Sequence, residues 1–471
     1  MFEKYGHTFD IGLFGETRIV TDEPENVKAI LSTDFATFEK GPTFRSKMGS
    51  VLGKGIFNSD GDMWKFHRTM TRPYFSRDRI SHFDNFARHS DIAITQLFAR
   101  LAEPSHPAID FQDLVARFTL DSATEFLFGK DAQSLSAPLP YPNSPPTDDS
   151  ASFAAAFGRA QEQLLMRFGT SILWPVIEMF WDRTGADMKV INAYVQPILR
   201  EKLEEKKRMG GKAKEEKDEE KNTLLDHLVQ FTDDESVIRD EIINILVAGR
   251  DTTATTLTFA VYILATHPEV MVKLRAEIFE HVGPTAYPTP ENFREMKYLR
   301  AVINEVLRLF PPVPINERTP VKSTVFKSGG KTFYIPAGTN TTWSVISMHR
   351  RKDLWGPDAE QFDPERWIDE RLKKYVTPNP FIFLPFNAGP RICIGQQFAY
   401  NESSFFLVRL LQRVQSIALA PEAHPAGTLP PEEWKHASGR KAFEKVFVKS
   451  HLTIYSNGGM WVRMKEAAAA E

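Results

Sequence analysis

A chain of 471 residues with one cysteine can form neither an intramolecular disulfide nor a metal cluster that needs several thiolates. That residue, Cys393, lies in FLPFNAGPRICIGQQF (383–398), among glycines, a proline and an arginine. A structural cysteine more often sits in an apolar run, where it packs as a small hydrophobe. Here the turn-forming stretch leads into a helical pattern, QFAYNESSFFLVRLLQRV, which would aim its positive end at the sulfur. Phe386, Gly389, Arg391, Cys393 and Gly395 spell F-x-x-G-x-R-x-C-x-G. The setting suits a thiolate ligand, because glycines open the backbone to approach and donors or positive charge hold sulfur ionised. An inert, half-buried thiol is the plainer alternative, and the surroundings argue against it.

Composition is ordinary for a globular protein, 42% hydrophobic and 25% charged, which argues against disorder over most of the chain. Thirty-six phenylalanines suit a voluminous apolar interior or ligand cavity. A net charge of −3 gives no electrostatic case for nucleic acid. No run approaches the ~20 consecutive apolar residues of a membrane span. MFEKYGHTFDIGLFG lacks the basic and apolar regions of a signal peptide. As written, the chain reads as soluble and cytoplasmic.

TFDIGLFG and TRIVT read as short strands, and EPENVKAILS as a helix with Pro24 in its first turn. Long helical patterns then run to about residue 310, interrupted by a proline-rich loop (137–149) and a charge run (201–221) that reads as a solvated helix end and loop. Prolines and β-type runs follow to 390, helix returns after Cys393, and HLTIYS and MWVRM close the chain as strands. The expected architecture is mainly α with small β-sheets at one side, in one domain spanning 1–471.

Three further patterns carry chemistry. LVAGRDTTATT (246–256) lies inside one long helix, about Ser236 to Thr266. Thr252 can bond back to a carbonyl one turn earlier and open the ladder, and Asp251 beside it makes an acid–alcohol pair suited to proton delivery. A polar face turned to water explains the same residues equally well. In VINEVLRLFPPVP, Glu305 and Arg308 share a helix face as an ion pair. Arg366, in QFDPERW, could complete a three-member structural network with them. GKGIFN (53–58) begins like a dinucleotide fingerprint but lacks its third glycine and a preceding strand.

In this order and spacing, these elements resemble the cytochrome P-450 haem-thiolate monooxygenases, as does WKFHR (64–68), a W-x-x-x-R match. The resemblance covers nearly the whole chain. It implies a helical triangular prism around a buried haem b (iron protoporphyrin IX), with Cys393 as the axial thiolate whose electron donation favours O–O cleavage. It also implies cofactor contacts from Trp64, Arg68, Arg318 and Arg391 at the two propionates, and from Phe386, Gly395 and Ala248. Asp251 and Thr252 would deliver protons to dioxygen at the haem, with Gly249 and Ala248 leaving room on the distal side. Glu305, Arg308 and Arg366 would be structural.

AGRDTTA together with CIGQQFAYNE looks like fungal members related to alkane and fatty-acid hydroxylases. The pocket wall is expected from Phe44 to Asn58, the helix near Ala248, VPIN (313–316) and YSNGG (455–459). Polycyclic aromatics and other xenobiotics fit the same description. A reductase-independent hydroperoxide isomerase or dehydratase, and a non-catalytic haem sensor, are further readings that Asp251–Thr252 disfavours. Electrons are expected from a separate NADPH–cytochrome P-450 reductase carrying FAD and FMN, steered by Lys65 and Arg72. MFEKYG looks like only the end of the family's first helix. A full-length parent with a membrane anchor is accordingly expected on the endoplasmic reticulum membrane.

Overall fold

The computed structural model describes residues 1–76, 83–105, 107–144, 153–208 and 223–467. The parts of the proline-rich loop at 145–149 and of the charge run at 209–221 lie outside them. One long helix organises the rest. Glu235–Thr266 starts where Asp234 accepts hydrogen bonds from the backbone N–H groups of Ser236 and Val237, and it ends at His267, ahead of Pro268. Most of its length is buried, and helices Phe111–Phe128, Lys297–Leu309 and Gln396–Arg413 pack around it. Among the described residues no single helix is long and apolar enough to cross a membrane.

The sheets lie at the ends of this helical body. A five-stranded sheet has the order Thr8–Leu13, Glu16–Thr21, Asn340–Ser344, Ile315–Pro320, Phe38–Glu39. Arg18 pairs with Asn340 in its one parallel ladder. A three-stranded sheet joins Ile109–Asp110, Trp461–Glu466 and Val414–Leu419, and a hairpin pairs Val448–Ser450 with Ile454–Ser456. Only the second half of HLTIYS is strand; His451 to Thr453 form the hairpin turn. EPENVKAILS is helical as expected, with Pro24–Lys28 widening into a π turn at Ala29–Thr33.

Glu305, Arg308 and Arg366 are fully buried and form one network. Arg308 holds Glu305 bidentately, Nε to Oε2 at 2.8 Å and Nη2 to Oε1 at 2.7 Å. Its other N–H groups reach the carbonyls of His349, Ala359 and Gln361. Arg366 adds Nε to Glu305 Oε1 at 3.4 Å, and Trp367 donates its indole N–H to Oε2 at 2.9 Å. Burial opposes the charge on Glu305, yet the two guanidiniums and the hydrogen bonds hold its carboxyl below the usual range. The network extends to His349, whose Nδ1 meets the Arg308 carbonyl at 3.1 Å and whose Nε2 accepts the Leu384 N–H at 2.9 Å. Burial and Arg308 push the imidazole down to about 3, so it stays neutral. Through His349, the ion network grips the start of the cysteine stretch.

A second buried carboxyl ties three helices together. Glu402, on Gln396–Arg413, accepts from Ser122 Oγ at 2.6 Å and also meets Thr253 of the long helix. Burial pushes its carboxyl up to about 7 against those hydrogen bonds.

Removing Arg366 (Arg366→Ala) leaves buried charge unmatched and is expected to cost roughly 3–5 kcal/mol in urea unfolding; a loss under about 1 kcal/mol would contradict the network. For Glu402 the folded chain holds a proton that the unfolded chain releases. Its stabilisation is therefore complete below 4.5 and is lost as pH rises through about 7. Glu402→Gln should remove a pH-dependent loss of about 3 kcal/mol across that window. Parallel pH profiles for wild type and variant would contradict this.

Candidate active site

The cysteine stretch is a tight turn set against the N-terminal sheet region. Gly389 has φ +67°, and a Cβ there would lie 1.8 Å from the Leu31 carbonyl oxygen, so glycine is required by the neighbouring backbone. Cys393 N–H donates to Phe386 O at 3.0 Å, and helix Gln396–Arg413 begins immediately after Gly395. The sulfur is open to a cavity of about 630 Å³ that lies between this turn and the long helix. The Gly395 N–H and Arg68 favour the thiolate, but burial outweighs them and pushes the Cys393 thiol up. A coordinated metal cation would favour the thiolate.

Trp64, Arg68, Ala248, Thr252, Arg318, Phe386, Arg391, Cys393 and Gly395 all line this cavity. Arg68 Nη1 donates to Ile392 O at 2.7 Å, tying helix Gly61–Thr71 to the cysteine turn. Arg391 lies 4.5 Å over the Trp64 ring, and its Nη2 reaches Asp60 Oδ1 and Ser59 O, both at 2.9 Å. Thr252 Oγ1 donates to Ala248 O at 2.7 Å, the back-bond expected from the helix motif. Asp251 lines no part of the cavity; it is held on the other side of the helix, Oδ1 by Arg250 at 2.8 Å and Oδ2 by Gln161 Nε2 at 2.6 Å. Glu305, Arg308 and Arg366 stand apart from the cavity lining.

The walls are largely those expected. Phe44, Met48, Leu52, Ile56 and Phe57 form one, and Val313 to Asn316 another. YSNGG (455–459), expected in the wall, does not reach the cavity. Asp110 crowds Gly459 and Thr428 crowds Gly458, while the hairpin turn Ser450–Thr453 supplies the wall instead. GKGIFN binds no nucleotide: Asp240 and Asn244 accept the N–H groups of Lys54 and Phe57, and Glu241 that of Ile56. Asp240, Glu241 and Asn244 thereby take up backbone N–H groups that a phosphate would need.

Lys40 escaped sequence reasoning, having no motif around it. Its buried ammonium lines the cavity 3.9 Å from the Phe44 ring centroid. With Arg18, Arg68, Arg318 and Arg391 it puts five basic side chains on the lining. Burial and then the two neighbouring arginines drive Lys40 well below its usual range. Burial and Arg391 take Arg318 down to about 9. Asp60, Glu317 and Glu39 are the carboxylates beside them, and burial pushes Glu317 up, towards its neutral form. A cavity with this surplus of buried positive charge calls for an anion. A flat ligand carrying two carboxylates at one edge and a metal that accepts sulfur fits the set, and haem is such a group.

The family model described as Cytochrome P450 matches residues 1–425. Cytochrome P450 monooxygenase himC of Aspergillus japonicus is 36% identical over 471 residues, 99% of this chain and 77% of that protein. Cytochrome P450 52A6 of Candida tropicalis is 36% identical over 483 residues, 98% of this chain and 84% of the relative. The crystal structure of the cytochrome P450DA heme domain shares the fold, with a TM-score of 0.74 at 22% identity over 98% of this chain and 89% of that one. The chain belongs to the cytochrome P450 family, as a haem-dependent monooxygenase of hydrophobic substrates that draws its electrons from a redox partner.

Proposed function

We propose that this monooxygenase hydroxylates long-chain alkanes or fatty acids. The observation that carries the reading is the placement of an open thiol opposite Ala248–Thr256 in a cavity whose walls are Phe44, Met48, Leu52, Ile56 and Val313. Such walls give a hydrocarbon chain area to bury at about 25 cal/mol per Å². Haem b, when bound, supplies dioxygen activation and oxygen insertion into a C–H bond. Cys393 is its sulfur ligand, and Arg68, Arg318, Arg391 and Lys40 hold its carboxylates. Thr252 keeps its proton on Ala248 O and turns its acceptor lone pairs toward the cavity, where it positions a proton donor. Asp251 is the reservoir behind it and must release Gln161 or Arg250 to exchange its proton. NADPH serves through a separate FAD- and FMN-containing reductase, which approaches the face carrying exposed Lys65.

Membrane association is part of the same proposal. Val176, Met179, Phe180 and Trp181 project from the segment after helix Phe153–Gly169, with Phe180 84% exposed. Ile172, from the same segment, approaches Gly15 beside exposed Phe14. An apolar patch with a tryptophan suits the lipid interface, and the endoplasmic reticulum is the membrane proposed. Aromatic rings at Phe44, Phe57 and Phe168 favour polycyclic aromatics as a second reading.

Optical titration of the haem-loaded protein decides between them. Chain-length-dependent spin-state shifts with alkanes and fatty acids are expected, whereas shifts with polycyclic aromatics alone would replace the reading. Thr252→Ala is expected to lower product formed per NADPH several-fold and raise peroxide. Unchanged coupling would remove Thr252 from proton handling.

A further inference from the structure

The apolar wall above the long helix is broken by an imidazole. His451 occupies the hairpin turn that enters the cavity. Its ring is fixed twice. It stacks on Tyr455 with centroids 4.8 Å apart and 17° between planes, and the Thr453 backbone N–H donates to Nδ1 at 3.3 Å. A neutral imidazole that accepts at Nδ1 carries its proton on Nε2, and burial lowers the ring's pKa and keeps it neutral. Nε2 has no partner among the described residues. An N–H donor on the cavity wall, without a protein acceptor, is available to an acceptor atom on the ligand.

The surrounding charges select the acceptor. Asp251 and Glu162 act on His451 from one sign and Arg250 from the other. Two carboxylates against one guanidinium disfavour a further anion. A neutral donor also cannot repay an ionised head group for the water it loses on entering an apolar cavity. An uncharged oxygen meets both conditions.

We propose that His451 is a specificity residue whose Nε2–H receives a neutral oxygen, hydroxyl or carbonyl, on a long hydrocarbon chain, so that an oxygenated chain is preferred to the bare alkane. This rests on the hydrocarbon reading above and narrows it. Losing one acceptor for a committed site is the kind of mismatch a polar subsite discriminates against.

The test is calorimetric binding of dodecane, 1-dodecanol and dodecanoate to the haem-loaded protein, in wild type, His451→Phe and His451→Gln. Phenylalanine keeps the ring on Tyr455, and glutamine returns an N–H near the Nε2 position. Wild type is expected to bind the alcohol about fivefold more tightly than the alkane. His451→Phe should erase that ratio while leaving the alkane within about twofold, and His451→Gln should restore part of it. A ratio unchanged in His451→Phe would overturn the assignment. Dodecanoate preferred over the alcohol equally in wild type and His451→Phe would overturn the neutral-oxygen choice. Failure of all three chains to bind wild type would remove the hydrocarbon reading itself, and this inference with it.

Discussion

Arg308 has five N–H donors, and the structure uses all of them: two on Glu305 and one each on the carbonyls of His349, Ala359 and Gln361. A buried guanidinium is tolerated only on such terms. Its consequence is the position of the sulfur. The Arg308 carbonyl fixes His349, His349 accepts the Leu384 N–H, and Leu384 opens the turn that presents Cys393. The far side of that turn is set by the Leu31 backbone against Gly389 and by Arg68 on Ile392 O. A cysteine in so short a loop is thereby held by groups from three distant parts of the chain.

The cavity itself is an electrostatic compromise. Lys40, Arg68, Arg318 and Arg391 are kept near one another by packing that none of them would choose alone, with Asp60 as the carboxylate that bonds Arg391, Arg45 and two backbone N–H groups. Charge gathered at such cost would become binding energy for a dianionic cofactor. Opposite the sulfur, the long helix turns Ala248, Gly249 and Thr252 inward and Asp251 outward. The acid and the alcohol of one motif thus face different environments.

Local signals are the legible part of this sequence. Cys393 and its glycines, the Glu305–Arg308 spacing, Arg366 and the Trp64–Arg68 pair each carry a pattern. Helix limits at Glu235 and Thr266 follow from Asp234 and Pro268, which the sequence displays openly. Lys40, Asp60 and His349 have no such pattern, because their roles come from partners tens to hundreds of residues away. The misplaced hairpin wall has the same origin. Whether Ser450–Thr453 or Tyr455–Gly459 enters the cavity depends on Asp110 and Thr428 claiming the glycines. The direction of Asp251 depends on Gln161, ninety positions earlier in the chain.

X-ray absorption at the iron edge of the haem-loaded protein tests whether this cavity holds haem through the Cys393 sulfur. A sulfur scatterer in the iron's coordination shell, lost in Cys393→Ser while the haem stays bound, is the result predicted. A shell of nitrogen and oxygen alone in the wild type, or sulfur that persists in Cys393→Ser, would contradict it.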